Sequence, residues 1–162
     1  MKQIILVTLY LGAIIGANLA VVTWGLSAVL PVAFLLIGLD LTSRDYLHEL
    51  WQKKLWLKMA ILIGVGSLLS WLLNQAAGQV AIASFVAFAM AGIVDTLIYQ
   101  VLKNKAFIWR VNGSNVFSSF TDSALFLTIA FGSFMPVVIL TQFSVKVLGG
   151  FVWALLLRRL RE

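Results

Sequence analysis

Six runs of mainly apolar residues follow one another along this chain, each long enough to cross a bilayer as a helix. A span needs roughly 20 such residues to cover about 30 Å of hydrocarbon. Helices are demanded there because lipid offers nothing to satisfy an open backbone N–H or C=O. The runs predict helices near 3–23, 26–42, 55–74, 79–102, 114–133 and 136–158. Pro31 falls in the first turns of the second helix and Pro136 opens the sixth, positions that tolerate a missing N–H. "NQAAGQ" at 74–79 and "RVNGSN" at 110–115 read as turns. The expected fold is all-α, a single polytopic domain over 1–162 with six transmembrane helices.

Composition excludes the soluble alternative. Hydrophobic residues make up 62% of the chain, above the usual share of a water-soluble domain. The start, "MKQIILVTLYLGAIIG", has the pattern of a signal peptide, but the runs that follow make it the first span. The absence of cysteine excludes disulfides, thiolate metal sites and cysteine nucleophiles.

The net charge of +6 carries meaning through its distribution. With both termini cytoplasmic, the inner segments hold Lys2, Arg44, Lys53, Lys54, Lys58, Lys103, Lys105, Arg110, Arg158, Arg159 and Arg161. The outer turns near 24–26, 74–79 and 133–136 hold no base. This is the positive-inside pattern, and it predicts N-in/C-in with an even number of spans. It also assigns the charge to the bilayer rather than to nucleic acid. Trp24 and Trp71 at one interface, and Trp51, Trp56 and Trp109 at the other, suit an aromatic belt. The twelfth base, Lys146, lies within the sixth helix and reads as structural, facing the interior or snorkelling. Gly12 and Gly16, spaced as GxxxG, predict close internal packing first and a homodimer contact second.

Carboxylates inside a span are expensive and mark functional positions. Asp95 and Asp122 are such residues, and loop counting places both roughly 12–14 Å from the cytoplasmic surface. On the fifth helix Asn115, Ser118, Ser119 and Asp122 form one polar stripe; on the fourth Ser84, Phe88, Ala91, Asp95 and Tyr99 share a face. Asn18 is the strongly polar side chain of the first span. Taken alone, Ser84 and Thr128 read as back-bonding to their own helices. In "LDLTSRDYLHEL" at 39–50, Asp40 ends a span, while His48, Glu49, Lys53 and Lys54 read as a solvated inner loop.

Several stretches together carry a resemblance: "LTSRDYLHE", "ASFVAFAMAGIVDTLIYQVL", "SNVFSSFTDSALF" and "AFG". From about Leu30 to Gly132 the chain resembles the VUT family, the queuosine precursor transporters. The resemblance implies a six-helix protein of the bacterial cytoplasmic membrane that takes up 7-deazapurines, chiefly 7-cyano-7-deazaguanine. The family's polar signature falls on Arg44 and Asp45, Ser84 and Asp95, and Ser114, Asn115 and Asp122. Gly92 departs from it, because relatives often hold a polar or acidic residue there.

The expected substrate-binding set is therefore Asp95, Asp122, Asn115, Ser118, Ser84, Tyr99, Phe88 and Asn18. Arg44, Asp45 and Asp40 form an inner rim, with Arg44 holding one of the two carboxylates ionised. An ionised Asp can accept two adjacent N–H donors of a guanine-like edge. Phe88, Tyr99, Phe117 or Phe126 can sandwich the ring. No cofactor or metal is expected. "GVG" at 64–66 lacks the lysine of a phosphate-binding loop, and no nucleophile–base pair can be named, so an enzyme is not expected. The alternative is a substrate-binding membrane subunit of an energy-coupling-factor type transporter, which requires a separate ATPase module.

Overall fold

The structure, a computed structural model, describes residues 2–40, 42–43, 47, 51, 55–105 and 107–157. Within the helices the side chains of Asp95, Tyr99, Ser114 and Asn115 also lie outside the described set. Arg44, Asp45, His48, Glu49, Lys53 and Lys54 lie outside the described residues altogether.

Among the described residues the fold is helical throughout. Helix α1 (Lys2–Trp24) ends in a 3₁₀ turn, Gly25–Ala28, where Gly25 takes φ 59°. Then α2 (Val29–Val32) widens into a π turn, Ala33–Ile37, and winds on helically through 38–40. Helix α3 (Leu55–Leu73) is followed by a 3₁₀ turn, Gln75–Ala77, capped by Asn74 accepting from the Ala76 N–H at 3.0 Å. The remaining helices are α4 (Gly78–Val101), α5 (Phe107–Phe131) and α6 (Pro136–Leu156). Pro136 sits in the first turn of α6, as predicted.

Among the described residues, three stretches are long and apolar enough to cross a membrane: Gln3–Asp40, Gln75–Val94 and Pro136–Trp153. Shorter apolar helices occupy Leu57–Leu73 and Val116–Phe131. The 38-residue first stretch folds back on itself, since a Cβ at Gly16 would lie 3.3 Å from the Leu36 side chain. Ala17 and Val21 of α1 likewise pack with Val32 of α2. The surface is that of a membrane protein. Ile4, Leu73, Ile82, Val101, Val137 and Phe151 are between 62% and 77% exposed, whereas Asn18, Ser118, Gln142 and Lys146 are buried. Water would reject that surface; acyl chains accept it.

Two sequence expectations change. "RVNGSN" is not a turn, because α5 begins at Phe107 and carries Gly113 inside it. The chain reverses instead at 102–105, with Lys103 N–H bonding Gln100 O and Lys105 N–H bonding Leu102 O. Asn-Gly chemistry favours a turn only where the chain is free to leave the helix, and here "LKNK" has already made it. Second, the closest helix contact does not use Gly12, around which a Cβ would meet nothing within 4 Å. It uses Gly38 and Gly149: a Cβ on Gly38 would lie 2.6 Å from the Gly149 carbonyl carbon, and one on Gly149 would run into Phe34 O. At this crossing Thr42 Oγ1 shares its proton between Gly38 O (3.0 Å) and Gly150 O (3.1 Å). Trp153 Nε1 donates to Leu35 O in the π turn at 2.7 Å. A π turn displaces backbone carbonyls from their usual partners, which makes such a bond available.

The segment after α2 is not simply a wet loop. Thr42, Ser43 and Leu47 are buried, and Leu47 packs with Leu6, Tyr10, Met59 and Ile63 of α1 and α3. Lys58 Nζ lies 5.1 Å from the centre of the Trp51 ring, a cation–π contact.

Candidate functional site

A cavity of about 80 Å³ lies among the helices, and every helical segment contributes to its wall. At about 10–15 Å³ per water on this measure, it has room for on the order of six waters. Asn18 comes from α1, Asp40 from the end of the second segment, Ile63 from α3, and Ser84 and Phe88 from α4. Ser118, Ser119, Asp122 and Phe126 come from α5, and Gln142 and Lys146 from α6.

At the wall between α5 and α6, Lys146 Nζ donates to Asp122 Oδ2 at 2.5 Å. The lysine side chain is 3% exposed and the aspartate 27%, so the carboxylate keeps an open side toward the cavity. Such a pair must offset the cost of taking both charges out of water, which is why each holds the other in place. Lys146 was expected to be structural. It is buried and lines the cavity, and its head does not snorkel.

A second polar group ties three helices together. Asn18 Nδ2 donates to Ser70 Oγ at 3.2 Å, and Ser84 Oγ donates to Asn18 Oδ1 at 2.6 Å. Ser70 in turn donates to Gly66 O at 2.7 Å. Ser84 therefore does not back-bond to its own helix, because Asn18 supplies a better acceptor; Thr128 does, to Ala124 O at 2.7 Å. Asn18→Leu is expected to lower the thermal midpoint of the solubilised protein, a loss of about 1 kcal/mol for interhelical bonds of this kind. An unchanged midpoint would remove the clamp role.

The register of α4 against α5 separates the two aspartates. Gln79 Nε2 donates to Ile129 O at 3.0 Å, and the connecting turn lies at 102–105. That pairing sets Asp122 near the level of residue 86, and Asp95 near the level of Gly113. The two backbones thus differ by about nine residues, or about 13 Å along the axis. The matched depth expected from the loops came from starting the fifth helix at 114.

Asp40, expected at the inner rim, is 8% exposed and lines the cavity itself. Phe88 and Phe126 line it on α4 and α5, while Phe117 is 54% exposed on the outer surface and cannot hold a ring inside. Asn115 and Tyr99 carry side chains outside the described set. Gly92 is buried on α4. Gln142 escaped the sequence reading, and Lys146 entered it only as a structural base. Their four-residue spacing on one helix is the polar-stripe signal already used for the fifth helix, and Lys146 had been weighed alone. Among the described residues no cluster of His, Asp or Glu suits a metal ion.

Compared with family models, residues 7–158 match the family described as "Putative vitamin uptake transporter". The chain belongs to this family. A search of curated proteins and one of solved structures returned no match. Vitamin uptake transporters move small molecules across a membrane, and apolar helices around a mainly apolar cavity with a few polar side chains suit that task. Membership points to transport rather than catalysis.

Proposed function

We propose that this protein is an uptake transporter for a flat, guanine-like base, a 7-deazapurine precursor of queuosine such as 7-cyano-7-deazaguanine. In this reading six helices span the cytoplasmic membrane, with both termini inside, and the base sits in the central cavity. The observation that carries the reading is the Asp122 carboxylate, open to the cavity and fixed on its other side by Lys146. A carboxylate has about four lone-pair sites, and Lys146 uses one. Those left can accept the adjacent ring N–H and amine N–H of a guanine edge, a charge-assisted pair. Phe88 and Phe126 flank the ring, Asn18 and Ser84 brace the wall, and Ser118 and Asp40 face the same space.

Asp95 lies about two turns from Phe88 toward the 102–105 turn, on the path between the cavity and that end of the bundle. Its role in this reading is on the exit route, together with Arg44 and Asp45, rather than at the ring. Asn115 and Tyr99, on the same end of α5 and α4, belong with it.

The test is uptake of 7-cyano-7-deazaguanine into vesicles holding the purified protein and no other. Saturable uptake is expected from the wild type and none from Asp122→Asn at equal protein level. Asp95→Asn should slow uptake several-fold while leaving the affinity for the base within about threefold. Uptake appearing only when an ATPase module is added would replace this reading with that of a substrate-binding subunit. Full activity of Asp122→Asn would remove the site.

A further inference from the structure

Gln142 is 2% exposed, it lines the cavity, and its Oε1 is a buried acceptor with no donor among the described residues. Leaving such an atom without a donor is costly. Neighbouring groups do not relieve it. Lys146, one turn further along α6, directs one of its three N–H donors to Asp122, and none reaches Gln142 Oε1. Ser84 and Asn18 bond each other and Ser70. Gln142 Oε1 is thus an acceptor in the cavity wall that a donor brought in by a ligand can meet.

The ligand chemistry supplies one. An exocyclic amine on a heterocycle carries two N–H donors. When a carboxylate accepts the ring N–H and one amine N–H, the second amine N–H points away from it and enters the site unpaired. Buried, it needs its own acceptor. Gln142 and Lys146 share a face of α6 at four-residue spacing, so Gln142 lies about 6 Å from the residue that holds Asp122.

We propose that Gln142 Oε1 accepts this second amine N–H and is the residue that selects amine-bearing bases over those without the amine. The inference rests on the reading of Asp122 as the anchor for a guanine-like edge. It adds a discrimination that Asp122 alone makes incompletely. A base lacking the amine leaves Gln142 Oε1 without that donor, and rejection by an unmet polar group is stronger than rejection by lost contact.

The experiment pairs two ligands with two proteins in detergent: 7-cyano-7-deazaguanine and the same ring without its amine, with the wild type and Gln142→Met. Affinities come from calorimetry and stability from the thermal midpoint without ligand. Gln142→Met is expected to weaken the amine-bearing base about 10- to 100-fold, to change the amine-free ring less than threefold, and to leave the unliganded midpoint equal or higher. Equal losses for both ligands, an unchanged affinity for the amine-bearing base, or a lowered unliganded midpoint would overturn the assignment of Gln142 while the substrate reading stands. A wild type that binds neither compound would overturn both.

Discussion

Lys146→Met is expected to abolish uptake and to lower the thermal midpoint. The methionine fills the space of the lysine stem but leaves the Asp122 carboxylate without its counter-charge between α5 and α6. Breaking a fully buried pair from one side costs about 3–5 kcal/mol because one uncompensated charge remains, and the 27% exposure of Asp122 places this loss below that range. Asp122→Asn alone strands the ammonium in the same way. The double variant Asp122→Asn with Lys146→Met removes both charges, and its midpoint should return close to that of the wild type. Its uptake should not return, since the anchoring carboxylate is gone. Thermal denaturation with vesicle uptake separates the two effects: a double variant that stays unstable would show that charge pairing is not what Lys146 contributes, and one that regains uptake would show that Asp122 does not hold the base.

Gly149→Leu is expected to prevent the bundle from assembling, with protein levels in the membrane falling several-fold. At the crossing of the π turn and α6 the two backbones touch, so there is no side chain to yield. Even Gly149→Ala drives a Cβ into Phe34 O, and overpacking of this kind costs about 1–3 kcal/mol where neighbours can move. Here they are main-chain atoms. Separation of the two elements would also break the Trp153 bond to Leu35 O and carry Gln142 and Lys146 away from Asp122. Gly12→Ala, despite its place in a GxxxG pattern, should leave level, midpoint and uptake unchanged, because open space surrounds it. Damage from Gly12→Ala equal to that from Gly149→Ala would refute the crossing as the tight contact.

Much of the helix plan was legible because it follows from hydrophobic length and from breakers. Pro136 opens α6 and Asn74 caps the turn after α3, as their backbone chemistry directs. The fifth helix shows where local chemistry misleads. Asn112 and Gly113 make a strong turn signal, yet they continue a helix once the chain has reversed ten residues earlier. That shift moved Asp122 by about two turns relative to Asp95, and with it the composition of the site.

The site was legible where polarity repeats along one helix. Ser118 and Asp122 on α5, with Ser84 and Phe88 on α4, all reach the cavity. It was not legible where the deciding partner is distant in sequence. Nothing near Lys146 names Asp122, 24 residues away, and nothing near Asn18 names Ser70 or Ser84.

From residue types and their periods alone come the all-helical class and the lipid-facing surface, because each depends on transfer energies and spacings within single segments; the family rests on the resemblance of whole stretches and on the match over residues 7–158. The tertiary structure alone decided that Asp122 faces Lys146, that Asp40 lies inside, that Asp95 stands a level away and that Gln142 keeps an unmet acceptor. Those depend on register and crossing between helices, which are set by the contact of Gly38 with Gly149 and by the length of one turn, and no single segment contains either.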